Sequence, residues 1–204
     1  MTGKIKLNAA SGGGSVSFQA PSSTGDDRII TLPTTADGTV LTTTNPKTGN
    51  IIQVVSTTKT DTTSATSTVP TFVDMSGMNV AITPASSSNK VNLSYNVWVG
   101  AASNNVGFIR IQRKIGSGSY SDIAVGTTTP ATTGYYGTSL FYTSSGNTMG
   151  TNAMSFLDSP NTTSEVTYKL TWCSHNGATV YLNSYTSTGN YIGVSTITAQ
   201  EVAG

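Results

Sequence analysis

Apolar and polar residues alternate over short stretches of this chain, and Gly, Pro, Asn and Asp separate the stretches. The clearest case is KVNLSYNVWV at residues 90–99, in which every second residue is apolar. Because successive side chains of a β-strand point to opposite faces, this spacing predicts a strand with one buried face. The residues expected in the core are Val91, Leu93, Tyr95, Val97 and Val99.

The C-terminal part of the chain, residues 154–202, repeats this pattern in SFLDSP, EVTYKLTW, ATVYLNS and STITAQEV. The sequence DSPN at residues 158–161 predicts a turn, because Pro lacks a backbone donor and Asp, Ser and Asn satisfy their own backbone locally. In the strand that follows, one face is predicted to be buried and the other to meet water. The first face carries Val166, Tyr168, Leu170 and Trp172, and the second carries Thr167, Lys169 and Thr171.

Further strands are predicted at residues 51–56, 71–75, 78–83, 108–115, 120–125 and 138–143, with a Thr/Ser-rich loop up to residue 68. No window has apolar residues at helical spacing over several turns, so almost no helix is expected. The number and spacing of the strands predict an all-β chain whose main domain is an antiparallel, jelly-roll-like β-sandwich.

Residues 108–115 (FIRIQRKI) are predicted to pair with residues 90–99 through the loop GAASNN. In this strand Arg113 falls on the same side as Ile111 and Ile115. A guanidinium on an apolar face requires a bulge, a register change or a partner.

The N-terminal part contains only short strand-like units, such as KIKLNAA, SVSFQAP and RIITLP, between Gly, Asp and Pro turns. Units this short cannot bury a core alone, so they predict a stalk or docking segment that is ordered by association; a disordered tail is the alternative. The polar stretch TTNPKTG at residues 43–49 is the best boundary. The predicted domains are therefore residues 1–49 and residues 50–204.

Composition narrows the possible functions. Only 9% of the 204 residues are charged and the net charge is +1, so the basic patch that nucleic-acid binding needs is not expected. No apolar run reaches the length of a membrane span, and MTGKIKLNAASGGG lacks the apolar centre of a signal peptide, so we expect assembly in a cytosol and no membrane insertion. The single cysteine, Cys173, agrees with a reducing compartment.

No constellation in the sequence predicts catalysis, a metal site or a cofactor. Cys173 and His175 are too few ligands for zinc within one chain, and a buried thiol beside a turn histidine is the favoured interpretation. The alternative for His175 is a metal site on an oligomer axis. The acidic residues are scattered, and turn positions are favoured for most of them.

The loop TTTPATTGYYG at residues 127–137 is the strongest candidate for recognition. Tyr135 and Tyr136 offer rings and hydroxyls to a carbohydrate or protein, while Asn104, Asn105 and Tyr120 are candidates for the same end of the domain. Packing of the two tyrosines on a neighbouring subunit is an equally weighted alternative.

The segments GKIKLNAASGGGSVSFQAP and DDRIITLPTTADGTVLTT resemble the start of tail fibres and other virion structural proteins of tailed bacteriophages, especially those of marine bacteria. GNIIQVVSTTKTDT, SFLDSPNTTSEVTYKLTW and STITAQEVAG are similar to the module that accompanies it. The resemblance implies a homotrimeric virion protein that is not an enzyme, attached to other tail or capsid proteins through its N-terminal segment and contacting a host-surface glycan or protein through the sandwich. The implied attachment residues are Ile5, Leu7, Val16, Phe18, Ile29, Ile30 and Leu32.

A purely structural role, as a capsid decoration or tail adaptor protein, is the alternative to a tail fibre. Oligomerisation has a physical argument of its own, since a weakly apolar stalk gains burial when several chains wind together and closed symmetry removes exposed edges.

Overall fold

The computed structural model describes residues 4–19, 25, 46–101, 104–127, 136–144 and 148–204. The chain divides into two compact units, Met1–Val40 and Leu41–Gly204. The sequence predicts the boundary after residue 49, which is further along the chain than Val40, and this domain division stays a prediction. Residues 29, 30 and 32, among the candidates for attachment, and residue 135, in the tyrosine loop, lie outside the described residues.

The first unit contains an antiparallel hairpin of β1 (Lys4–Asn8) and β2 (Ser15–Gln19). Its turn closes with a hydrogen bond from the Ala9 amide to the Gly14 carbonyl at 2.9 Å. Gly12 and Gly13 have φ angles of +84° and +70°, a left-handed conformation that glycine adopts without strain. The run of three glycines therefore forms the turn of the hairpin.

The second unit is an antiparallel β-sandwich, which confirms the predicted fold class. The strands are β3 (Ile51–Lys59), β4 (Thr63–Thr66), β5 (Val73–Ile82), β6 (Lys90–Ala101), β7 (Asn105–Ile115), β8 (Ser121–Ile123), β9 (Ser139–Thr143), β10 (Met149–Asp158), β11 (Val166–Ser174), β12 (Thr179–Leu182) and β13 (Ser195–Val202). In the first sheet, β6 pairs with β10 along one edge and with both β13 and β12 along the other; β3 then pairs with β13, and β4 pairs with β12. The second sheet has the order β5–β11–β7, and β8 and β9 both pair with the far edge of β7. Among the described residues there is no apolar helix that could span a membrane.

The core lies between the two sheets, where the alternating residues of β6 and β11 meet. Every residue predicted for the buried face of either strand is at most 3% exposed. Most consecutive strands from β4 to β12 lie in opposite sheets, as in a jelly roll. Alternation along single strands therefore located the core correctly.

The predicted pairing of β6 with β7 is wrong, because the two strands lie in different sheets. β6 is flanked by β10 on one edge and by β13 and β12 on the other, while β7 pairs with β11, β8 and β9. Each strand has an apolar face, and placing the two in opposite sheets packs these faces against each other. A hairpin would have left both faces on one sheet, in need of another cover.

Two other predictions about strands need correction. Residues 71–75 and 78–83 belong to one strand, β5, which continues past Gly77 (φ +82°) with a shift of register opposite β11. The Thr/Ser-rich loop contains β4, which pairs with β12. A glycine suggests a turn and a run of Thr and Ser suggests a loop. In both places, however, pairing with a neighbouring strand keeps the chain extended.

Arg113 has a buried partner, one of the three alternatives that the sequence left open. Its Nη1 donates to both carboxylate oxygens of Asp158 at 2.8 and 2.9 Å, and the Tyr168 hydroxyl donates to the same carboxylate at 2.8 Å. Burial, together with the Asp158 charge, raises the pKa of Tyr168 well above its usual range, so the hydroxyl keeps its proton. Asp158 thus ends β10 as a buried acceptor and is not the turn residue that was predicted.

Other acidic residues also lie in strands. Asp74 in β5 accepts from Lys169 at 2.6 Å, and Asp122 in β8 accepts from Arg110 at 2.9 Å. Glu201 in β13 is only 1% exposed and accepts from the Ala85 amide and the Asn89 side chain, both at 2.6 Å. The strand patterns of the sequence already include these three acids, so the turn interpretation, which was made for most of the acidic residues, does not apply to them.

Candidate functional site

The outer face of the second sheet carries the first candidate surface, centred on Arg110 in β7. The Arg110 guanidinium carbon lies 3.6 Å from the centroid of the Phe72 ring and 4.0 Å from that of Tyr136. Its Nη1 donates to Asp122 and its Nε donates to the Tyr136 carbonyl at 3.2 Å. A cation held between two rings and a carboxylate is fixed in place, so this cluster holds the end of the tyrosine loop on the sheet.

The cluster explains an unexpected burial on the same face. Thr171 and Cys173 point outward from β11, opposite Arg110 and Phe108 of β7, yet all four residues are at most 8% exposed. The prediction that the Thr171 side of the strand meets water is therefore wrong at this end of the sheet. Alternation gives the direction of a side chain, but a loop laid over the sheet decides whether that side is wet.

The remaining candidates for recognition lie apart from one another. The Tyr120 ring lies 4.1 Å from the Lys169 ammonium and 5.4 Å from that of Lys114, near one end of β7. Asn104 and Asn105 lie at the other end, about 30 Å away at ~3.3 Å per residue along the strand. Tyr136 sits between the two ends, beside Arg110. The structure therefore does not gather the described candidates, Tyr136, Tyr120, Asn104 and Asn105, into one site.

Asn105 itself is a buried residue. It is 3% exposed, and neither polar atom of its side chain has a hydrogen-bond partner in the described structure. Asn104 is exposed. Of this pair, only Asn104 presents its side chain to solvent.

Two exposed apolar patches escaped the sequence reasoning. On β9, Leu140 is 61% exposed and Tyr142 is 63% exposed, opposite Phe108 and Val106 of β7. In the loop between β12 and β13, Tyr191, Ile192 and Val194 are 50–64% exposed, on the outer face of the first sheet. The sequence of the second patch resembles that of the tyrosine loop. In GNYIG, Tyr191 and Ile192 stand between Asn190 and Gly193, as the two tyrosines of the loop stand between glycines.

Cys173 is fully buried in β11, as predicted, whereas His175 is exposed just after the strand. For the turn that carries His175, the sequence SHNG predicts a hairpin loop; this is wrong, because the loop joins β11 and β12, which lie in different sheets. Burial raises the pKa of the Cys173 thiol to about 11, against a smaller lowering by Arg110. Within the described residues, no group of three or more His, Cys, Asp or Glu side chains could hold a metal ion.

We expect Cys173 to be unreactive toward Ellman's reagent at pH 8 in the folded protein, because the thiolate is the reactive form and the side chain is fully buried. One thiol per chain should react after unfolding in guanidinium chloride, which provides the internal control. The raised pKa also means that the stability contributed by the protonated thiol is complete below pH 9.0 and is lost as the pH rises through about 11. Rapid stoichiometric labelling before unfolding would contradict the buried placement.

The N-terminal hairpin carries a different kind of surface. Ile5 faces Phe18 and Leu7 faces Val16 across the two strands, so these four side chains share one face. They are 50–67% exposed, and a groove of about 460 Å³ runs along Leu7, Val16 and Phe18. The opposite face carries Lys6 and Ser17. Four of the seven residues implied in attachment thus form one exposed apolar face.

No protein-family model and no curated protein matches this chain. Among solved structures, it is similar to a chain in the structure of the infectious bursal disease virus Gx strain. The identity is 9% and the TM-score is 0.37, and the match covers 97% of this chain and 46% of that one. It is also similar to a chain in the VP2 subviral particle of that virus, with 10% identity and a TM-score of 0.36 over 93% of this chain and 47% of that one. A third match is a chain in T=1 particles derived from the virus, with 12% identity and a TM-score of 0.35 over 93% of this chain and 46% of that one. This chain spans about half the length of those chains, and at such identities and TM-scores the likeness carries no argument about function.

Proposed function

We propose that this chain is a non-enzymatic structural protein of a bacteriophage virion, and specifically a homotrimeric tail fibre. In this proposal the N-terminal segment attaches the fibre to other virion proteins, and the sandwich contacts the host surface. The protein would be assembled in the host cytoplasm and would reside in the virion. The observation that carries the proposal is the exposed apolar face of the β1–β2 hairpin.

An isolated two-stranded hairpin is marginally stable in water at best, and this one leaves Ile5, Leu7, Val16 and Phe18 at least half exposed. Fully burying one such side chain is worth ~1.5–3 kcal/mol, so covering four half-exposed ones would contribute about 3–6 kcal/mol. A partner protein or further copies of the chain could supply that cover. The need for a cover agrees with the resemblance of GKIKLNAASGGGSVSFQAP to phage virion proteins.

Contact with the host is supported by the exposed aromatic and apolar side chains of the sandwich. Tyr191, Ile192 and Val194 are 50–64% exposed in the loop that packs on Trp98. Tyrosine rings supply apolar area and a hydroxyl with little loss of conformational entropy, which suits recognition.

Light scattering on the full chain tests the oligomer, with an expected mass of three times 21.0 kDa. Attachment is tested in phage particles purified from infected cells that express variants of the chain. Phe18→Asp, on the apolar face of the hairpin, should reduce incorporation at least tenfold. Ser17→Asp, on the opposite face of the same strand, should leave incorporation unchanged.

A monomeric full chain would overturn the trimeric fibre. Equal incorporation of the Phe18→Asp and Ser17→Asp variants would overturn attachment through the apolar face. A trimer that is incorporated but makes no contact with host cells would favour the decoration or adaptor role instead.

A further inference from the structure

The outer face of the first sheet carries a groove of about 450 Å³ that crosses β10, β6 and β13. Its floor is built from small polar side chains on the outward positions of the three strands. These are Ser94 and Asn96 of β6, Ser155 of β10 and Thr196 of β13, with Ala153 beside them, and Tyr95 and Met154 complete the lining. The groove therefore presents hydroxyl and amide groups on a flat and regular backbone.

Part of this face is already cross-linked, and part of it is open. Asn92 donates to Gln200 at 3.0 Å and accepts from the Ser155 hydroxyl at 2.9 Å, which fixes these rotamers at one end of the groove. Within the described structure, no hydrogen bond engages the amide of Asn96 or the hydroxyls of Ser94 and Thr196. These groups can form hydrogen bonds with a ligand without breaking an internal one.

Beyond Asn96, outside the residues that line the groove, the same face carries Trp98 and the loop between β12 and β13 that packs on it, which together are called the aromatic border. Trp98 follows Asn96 on the same face of β6, and the loop between β12 and β13 packs against its indole so closely that a Cβ atom on Gly193 would lie 2.6 Å from Cγ. In that loop the rings of Tyr185 and Tyr191 lie 5.5 Å apart, and Tyr191 is 64% exposed. The loop cannot lift freely, because the Gly193 amide donates to the Asn183 carbonyl and the Asn183 amide donates to the Trp98 carbonyl.

The charge of this face limits the ligand. Among the described outward positions of β10, β6 and β13, the only ionisable side chain is Lys90, at the end of β6 away from Trp98. An anionic ligand would need a charge-assisted partner, which the groove does not offer. Three of the seven lining residues are Ser or Ala, which are depleted at protein interfaces. A neutral, polyhydroxylated ligand fits better, with hydroxyls on the floor and an apolar ring face on the aromatic border.

We propose that this groove binds a neutral oligosaccharide, through Asn96, Ser94 and Thr196 on its floor and through Tyr191 and Trp98 at its border. The inference rests on the proposed function, since it names the ligand class and the face of the sandwich that would contact the host. It places that contact on the first sheet, away from the loop that contains Tyr136.

The test applies the purified full chain to an array of neutral and acidic oligosaccharides. We expect binding to one or more neutral glycans and none that depends on acidic groups. Asn96→Ala on the floor and Tyr191→Ala at the border should each weaken that binding at least tenfold. Both side chains are exposed, so thermal unfolding should match that of the parent protein. Tyr142→Ala is the matched control, because Tyr142 is also a tyrosine, is 63% exposed and lies on the other sheet.

Loss of binding in the Asn96 and Tyr191 variants, with binding retained in Tyr142→Ala, would support the groove. Binding only to acidic glycans, binding retained in both groove variants, or no glycan binding at all would overturn it. A trimer that is incorporated into virions without binding any glycan would overturn this inference alone. A monomer that binds neutral glycans through the groove would instead overturn the trimeric fibre.

Discussion

Replacing Asp158 by Ala is expected to destabilise the sandwich by about 3 kcal/mol, the lower end of the range for breaking a buried ion pair. The Asp158 side chain is 8% exposed and that of Arg113 is 23% exposed, so the substitution leaves a largely buried guanidinium without its carboxylate. It also removes the acceptor of the Tyr168 hydroxyl, which lies in the core. Urea unfolding, followed by tryptophan fluorescence, measures the change in the free energy of unfolding.

Asp74→Ala is the matched control for this prediction. Asp74 also pairs with a cation, the ammonium of Lys169, but its side chain is 65% exposed. Exposed ion pairs contribute at most about 1 kcal/mol, so the control should unfold close to the parent protein. Equal effects of the two substitutions would contradict the argument that burial sets the energy of the Asp158 pair.

A second large effect is expected at Asn183, where Ala should also cost about 3 kcal/mol. This residue is fully buried and has a φ of +61°. Its side chain donates to the carbonyls of Lys59 and Asp61 at 2.9 and 3.0 Å and accepts from the Ser195 hydroxyl. Ala would adopt the left-handed backbone only with strain and would leave these three groups without their buried partner.

Asn161→Ala separates the two contributions. Asn161 has nearly the same backbone, with φ at +52°, but it is exposed. Its replacement should cost only the backbone term, about 1 kcal/mol. The difference between the two variants in chemical denaturation therefore reports the buried hydrogen bonds of Asn183. A difference near zero would show that those bonds contribute little.

The position of Asn183 has a structural reason. Along one edge of β6, β12 pairs with residues 99–101 and β13 pairs with residues 90–96. Between the two strands, the Asn183 amide donates to the Trp98 carbonyl and the Ser195 hydroxyl accepts from the Trp98 amide. The backbone amide of Asn183 and the Ser195 hydroxyl thus satisfy the backbone of β6 where neither strand can reach it. Asn183→Ala keeps the backbone bond to Trp98 but removes the side-chain oxygen that accepts from the Ser195 hydroxyl.

The sequence does not show which part of a sheet face is covered by a segment that lies far away along the chain. Thr171 alternates as a solvent-facing residue, yet it is 2% exposed, on the face to which Arg110, Phe72 and Tyr136 belong. The two tyrosines drew attention because they stand between glycines, but one of them packs on a cation and is only half-buried. The groove at Asn96 left no local signal, because its polar residues are separate in sequence and meet only across three strands.

The class of the fold and the position of the core follow from the sequence, because alternation of apolar residues is a local property of each strand and has a single buried solution. The need of Arg113 for a bulge, a register change or a partner follows from it too, since a charge on an apolar face is costly wherever the strand lies. Three features depend on the tertiary structure: β6 and β7 lie in opposite sheets, Asp158 is the partner of Arg113, and the Ser/Thr/Asn face of the first sheet is open. Each of these depends on which strands become neighbours, and that choice is set by the packing of the whole sandwich and by no single stretch of the chain.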